Sequence, residues 1–138
     1  MNIRTAQKND TQEISHLLKN IGMWHEWDEG EGLLSLIDNE RVVVVRSEDR
    51  IIAVVYTIWF SKTVLHVYRL AVAPEYQGKG VGSDLLTYVE QMAKNKGAVE
   101  VGFYVNSSEA ELQEFYKKRG FQTSGNTFSY YCKELGDS

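Results

Sequence analysis

The residues of this chain whose types and spacing could do chemistry lie in Leu70-Ala71-Val72-Ala73-Pro74-Glu75-Tyr76-Gln77-Gly78-Lys79-Gly80-Val81-Gly82-Ser83. There an apolar strand stops at a proline, crosses a glycine-rich turn and opens an amphipathic helix. Glycines let backbone N–H groups approach a ligand closely, and a helix start adds unpaired donors and the positive end of the helix dipole, so the turn suits a pyrophosphate. Spacing excludes two phosphate-binding arrangements. A P-loop needs Lys-Ser or Lys-Thr after its last glycine; here Gly82 is followed by Ser83-Asp84, which offers no lysine and adds a repelling carboxylate. The dinucleotide fingerprint needs Gly-x-Gly-x-x-Gly, whereas Gly78, Gly80 and Gly82 alternate and Ser83 stands where the third glycine should be.

The arrangement that fits is Gln/Arg-x-x-Gly-x-Gly/Ala after a strand, present as Gln77-Gly78-Lys79-Gly80-Val81-Gly82. With Leu70-Ala71-Val72-x-Pro74 before it and Phe115-Tyr116-Lys117-Lys118-Arg119-Gly120-Phe121 after it, the chain resembles the GNAT superfamily of acyl-CoA-dependent N-acyltransferases over essentially its whole length. The resemblance implies acetyl-CoA as acyl donor, a primary amine as acceptor, and direct attack within a ternary complex. It implies a sheet that splays between its fourth and fifth strands, here Val64 to Val72 and Val99 to Val105, to admit the pantetheine arm. The cofactor would be held by the backbone of Leu70, Ala71 and Val72 and by the turn Gln77, Gly78, Lys79, Gly80, Val81, Gly82 and Ser83. No cysteine lies near the motif to act as a covalent relay. An acyl-CoA-binding module without turnover is the alternative, and Tyr116 favours the enzyme.

Acyl transfer to an amine poses two proton problems. A lysine-like amine with a pKa near 10.4 is neutral in only about one molecule in 10³ at pH 7, a cost of roughly 4.6 kcal/mol, whereas the departing thiol has a pKa near 8.5. A base is therefore the larger need and a proton donor the smaller. By resemblance, Tyr116 occupies the tyrosine position whose phenol reaches the cofactor sulfur; it could equally be a core aromatic on the stripe of Leu112 and Phe115. His66 lies four positions before Leu70, where the histone-acetylating branch carries its catalytic glutamate, and an imidazole suits neutral pH. A half-buried strand histidine is the competing reading, with Tyr68 as the other relay. Strand alternation puts His66, Tyr68, Leu70 and Val72 on one face if no bulge intervenes. Asn106 either bonds the pantetheine or caps the following helix, and Glu109 stands where the family frequently has asparagine. Trp24-His25-Glu26-Trp27-Asp28-Glu29-Gly30-Glu31 falls where GNAT folds cover the acceptor. Trp24, Glu26, Trp27 and Tyr68 are the candidate acceptor-binding residues, against a solvated acidic loop whose tryptophans pack on the sheet.

Composition bounds the rest. At 138 residues the chain is expected to be a single domain, 1–138, burying roughly two-thirds of its unfolded surface. A net charge of −4 with no long basic run argues against nucleic acid as partner. Three histidines without ligand spacing and one cysteine predict neither a metal site nor a disulfide. Met1-Asn2-Ile3-Arg4 carries no apolar leader and no apolar run reaches membrane-spanning length, which predicts a cytoplasmic protein that binds no membrane. Oligomeric state stays open, a homodimer included.

The elements that must position these residues follow from periodicity. Asn2 to Ala6 reads as a strand, and Asp10-Thr11-Gln12-Glu13 as a capping box before a helix faced by Ile14, Leu17, Leu18 and Ile21. A short helix is expected over Leu33 to Asp38. Val42 to Arg46 and Ile51 to Phe60 form a hairpin around Ser47-Glu48-Asp49, and Val64 to Val72 follows as a strand. Gly82 to Lys96 is a helix stopped by Gly97, Val99 to Val105 a strand, and Leu112, Phe115 and Tyr116 share a face of a helix that Gly120 ends. Thr127 to Lys133 is a closing strand with Cys132 buried in it. The order β-α-α-β-β-β-α-β-α-β implies a mixed α+β fold, a strongly twisted mixed sheet with helices on both faces.

Overall fold

The computed structural model describes residues 1–136, apart from the side chain of Trp27. The chain divides into two compact units, Met1–Phe103 and the residues from Tyr104 onward. The first unit holds β1 Asn2–Thr5, α1 Thr11–Asn20, α2 Glu31–Asp38, β2 Val42–Ser47, β3 Arg50–Trp59, β4 Val64–Val72, α3 Val81–Asn95 and β5 Glu100–Gly102, with short 3₁₀ turns at Lys8–Asp10, Glu26–Asp28 and Pro74–Tyr76. The second holds α4 Ala110–Lys118. No helix among the described residues is long and apolar enough to cross a membrane.

The five strands form one sheet in chain order, antiparallel from β1 to β4, with β5 parallel to β4. The β-branched run Val42–Val45 and the stretch Ile51–Thr57 are buried without alternation, because helices cover both faces of the central strands. Glu48 and Asp49 both adopt positive φ, 52° and 66°. That is the conformation a two-residue hairpin loop needs, and it sets the pairing of Ser47 with Arg50.

α3 buries Val81, Leu85, Leu86, Val89 and Ala93 as one stripe. It ends at Gly97 with φ +97°, where the Ala98 N–H donates to the Ala93 carbonyl at 2.9 Å. A Cβ placed on Gly82 would stand 3.8 Å from Val72 Cγ2 and 4.0 Å from Leu70 Cδ2, so α3 lies on the sheet face carrying those two residues. The opposite face carries Tyr56 and Arg69, paired across β3 and β4. Both bond Asp28, and the adjoining Glu29 accepts hydrogen bonds from Ser15 and Lys19 of α1. α1 therefore covers that second face.

The start of α1 departs from the capping-box expectation. The Asp10 side chain does not cap α1; it accepts from the Gln7 N–H at 2.7 Å and from both Arg4 guanidinium nitrogens at 2.7 and 3.0 Å. Glu13 does not turn back either, but takes Arg46 at 2.8 Å and the Ile51 N–H at 2.9 Å. The acids that a local pattern assigned to the helix end tie it to the sheet instead. Burial alone would raise the Asp10 pKa, but the Arg4 hydrogen bond, the Gln7 N–H and the charges of Arg4 and Arg46 outweigh it and hold that pKa below the ordinary value. A depressed folded pKa gives stability that is complete above the unfolded value near 4 and lost as pH falls through the folded one. Asp10→Ala is expected to cost about 3 kcal/mol at neutral pH by leaving Arg4 without its partner. A urea midpoint measured at pH 7 and again at pH 3 checks both statements, since the gap between variant and parent should shrink in acid.

In the second unit, Tyr116 is 8% exposed and lies edge-on to Phe115 and Phe121 at ring separations of 5.3 and 5.8 Å. Leu112, expected on the same buried stripe, is at the surface. Two further expectations are corrected. The strand anticipated over Val99 to Val105 is only Glu100–Gly102. Residues 127–133 form no strand, and Phe128, Tyr130, Tyr131 and Cys132 are exposed. An alternating pattern becomes a strand only where a neighbour satisfies its backbone, and this unit contributes no other strand among the described residues.

Candidate active site

β4 is an unusual strand in two respects. Its partner β5 pairs only with Val64, Leu65 and His66. Among the described residues the β4–β5 pairing stops at His66, and the two strands part there, which is the splay expected between the fourth and fifth strands. The β3–β4 register also shifts, with Thr57 opposite Val67 and Tyr56 opposite Arg69, so that Tyr68 is the extra residue of a bulge. This bulge overturns the alternation expected for His66, Tyr68, Leu70 and Val72. Before it His66 shares a face with Ile58; after it Arg69 and Ala71 take that face, and Leu70 and Val72 take the other.

The backbone of the open edge can be read residue by residue. The Ala73 N–H donates to the Ile52 carbonyl at 2.8 Å. Alternation along an antiparallel ladder therefore turns the polar groups of Ala71 toward β3 and those of Leu70 and Val72 outward. Ala71, a candidate for cofactor contact, spends its backbone in the sheet. The Val72 carbonyl is met from outside by the Gln77 side chain, whose Nε2 donates to it at 2.9 Å.

The strand runs into the glycine turn. Gly78 and Gly80 have φ of +75° and +85°, and a Cβ on either would meet nothing within 4 Å, so the turn is both left-handed and open above. Only glycine takes this backbone without strain. Gly80 stands at the N-cap of α3 with no side chain to cap it, and the first intrahelical bond is Asp84 N–H to the Gly80 carbonyl at 3.0 Å. The N–H groups of Val81, Gly82 and Ser83 are then the first-turn donors that a helix cannot satisfy internally. This is the cradle a pyrophosphate requires. The approach to it is fixed by an Arg50–Glu75 ion pair, with Arg50 and Lys79 over the Tyr76 ring at 5.5 and 5.7 Å.

On the other face, His66 stacks on Phe60 with ring centroids 5.1 Å apart and planes 10° from parallel. Tyr68 is exposed, and the Arg69 guanidinium lies 5.9 Å from its ring. The 23–31 segment is not a uniformly solvated acidic loop. Asp28 is fully buried and Glu29 is tied to α1; its pKa is lowered by the Lys19 hydrogen bond and then by Ser15. Glu26 is exposed. The face of Trp24 is covered by Lys19, whose Nζ stands 4.9 Å from the ring centroid. The cation expected on that tryptophan is therefore supplied by the chain itself. The Trp27 side chain, also expected here, lies outside the described residues.

Asn106 builds the turn into α4: its Oδ1 accepts from the Ser108 N–H at 2.9 Å and the Ser108 hydroxyl at 2.7 Å. Burial, and secondarily the charge of Glu109, push the Tyr116 phenol above its ordinary pKa. A phenol so placed stays protonated through neutral pH, as a proton donor must.

Sequence reasoning missed the buried cluster of Asp28, Tyr56 and Arg69. Its only signal was a tyrosine and an arginine interrupting two apolar strands.

An open strand edge running directly into an anion cradle is the arrangement of a domain that takes an extended ligand carrying a pyrophosphate. A profile of the acetyltransferase (GNAT) domain matches residues 38–123, and the chain belongs to the GNAT acetyltransferase family. It is 30% identical over 81 residues to the putative [ribosomal protein bS18]-alanine N-acetyltransferase of Bacillus subtilis, a match covering 59% of this chain and 54% of that protein. It is 38% identical over 63 residues to the spermidine N(1)-acetyltransferase of Thermoplasma acidophilum, covering 44% of this chain and 39% of that one. The chain thus spans about half or less of the length of these relatives. Its fold is similar to that of the PaiA N-acetyltransferase of Thermoplasma acidophilum in complex with coenzyme A, with a TM-score of 0.74, 22% identity, and coverage of 91% of this chain and 92% of that one.

Proposed function

We propose that the chain is an N-acetyltransferase that moves an acetyl group from acetyl-CoA to a primary amine by direct attack within a ternary complex. The observation that carries this reading is the open edge of β4 running into the uncapped start of α3. The N–H groups from Gly78 to Ser83 hold the pyrophosphate, and the outward groups of Leu70 and Val72 bond the pantetheine amides, Gln77 yielding the Val72 carbonyl as the cofactor seats. The amine nitrogen attacks the thioester carbonyl, the C–S bond breaks, and the departing sulfur takes the Tyr116 proton. His66, on the face opposite Leu70 and Val72, takes the proton lost by the attacking amine. Support for an amine acceptor comes from the relatives, which are named for acetylation of spermidine and of a ribosomal-protein alanine. In this reading the protein works in the cytoplasm, and residues 1–138 act as one acetyltransferase domain.

The test is release of free thiol from acetyl-CoA in the presence of spermidine and of a peptide beginning with alanine. Thiol release that depends on the amine supports the enzyme; acetyl-CoA binding with no release supports the silent module. For His66 the expected result is that His66→Ala lowers the amine-dependent rate and alters its pH profile without changing acetyl-CoA affinity. A folded His66→Ala protein that keeps its rate and its pH profile assigns the base elsewhere.

A further inference from the structure

The open edge of β4 has two faces. α3 and the glycine turn take the face with Leu70 and Val72. An amine that meets an acyl group lying along that edge must come from the other side, the face carrying His66 and Arg69. The segment bolted to that side is the Glu26–Asp28 turn, and one side chain does the bolting. Asp28 is 0% exposed. Its Oδ2 accepts from the His25 N–H at 2.7 Å and from Arg69 Nη1 at 2.6 Å, and its Oδ1 accepts from the Tyr56 hydroxyl at 2.9 Å. The Asp28 N–H closes the turn on the His25 carbonyl at 2.8 Å. A single carboxylate thus gathers its own loop, β3, and β4 one residue past the Tyr68 bulge.

We infer that Asp28 is the positioning residue of the acceptor site: through Arg69 and Tyr56 it fixes the 23–30 segment beside the β4 bulge, and so sets the affinity for the amine without touching it. This rests on the functional reading above. The geometry gives the reason. A buried carboxylate with three donors, two of them from strands of the central sheet, holds a turn in one place. Replacing it by an amide keeps the shape but removes the charge that faces Arg69, whose side chain is only 16% exposed.

The test compares Asp28→Asn and Tyr56→Phe with the parent protein. Spermidine and an alanine-ended peptide are the amines, acetyl-CoA affinity is read by calorimetry, and amide hydrogen exchange is read along the chain. Asp28→Asn should raise the amine KM by at least about tenfold with kcat changed less than about threefold and acetyl-CoA affinity unchanged. Exchange should accelerate in 23–30 and not in β2 and β3. Tyr56→Phe, which removes one of the three donors and leaves the ion pair, should act in the same direction by a smaller factor, and it carries the test alone if the asparagine variant does not fold. A parent enzyme that turns over while both folded variants keep its amine KM overturns this inference and leaves the functional reading standing. A matching loss of acetyl-CoA affinity also overturns it, since the effect is then global. No turnover by the parent with either amine overturns the functional reading and this inference together.

Discussion

Gly80→Asp should weaken acetyl-CoA binding by on the order of 10²-fold or more, corresponding to about 2.7 kcal/mol. Two effects add. Gly80 sits at φ +85°, a conformation that costs a side-chain residue about 1–3 kcal/mol, and relief of that strain shifts the first-turn N–H groups out of alignment. The added carboxylate then faces the pyrophosphate across the same donors, replacing attraction by repulsion. Space is not the cause, because a Cβ on Gly80 would meet no atom within 4 Å. Gly80→Ala separates the two effects, since it carries the strain without the charge and should lose much less. Calorimetric titration of folded protein is the measurement. Unchanged affinity in the aspartate variant sinks the cradle assignment.

Tyr116→Phe should lower turnover by about 10- to 10³-fold with little change in acetyl-CoA affinity, because it removes a donor used mainly as the C–S bond breaks. The ring packing against Phe115 and Phe121 is kept, so the fold should survive. The environment of the phenol adds a second signature. Its pKa is raised by burial first and by the Glu109 charge second. The protonated donor therefore persists above the ordinary tyrosine range, and activity should fall only in strong alkali. Removing the charge with Glu109→Gln should move that alkaline limb to lower pH. Wild-type turnover in Tyr116→Phe would make the residue a core aromatic only.

The sequence alone determined what is decided within a few residues. The glycines of Gln77–Gly82 were legible because positive φ is a property of single residues, and Gly78 and Gly80 both show it. The β-branched runs became β2 and β3, and the spacing of Leu85, Leu86, Val89 and Ala93 became the buried stripe of α3, because periodicity is local. The candidate cofactor turn was thus readable almost in full. The tertiary structure decided what depends on partners far along the chain. Which face His66 occupies was settled by the bulge at Tyr68, a matter of register between β3 and β4 that no count along one strand can reveal. Whether Asp28 was a solvated acid or a buried anchor depended on Arg69, 41 residues away. Glu13 left its expected cap for Ile51 and Arg46, 38 and 33 residues on. The pattern in 127–133 had no strand to pair with among the described residues of its own unit and made no strand. Backbone preference and periodicity are written into adjacent residues, whereas register, burial and charge pairing are properties of two segments at once, and only the fold brings the second segment into place.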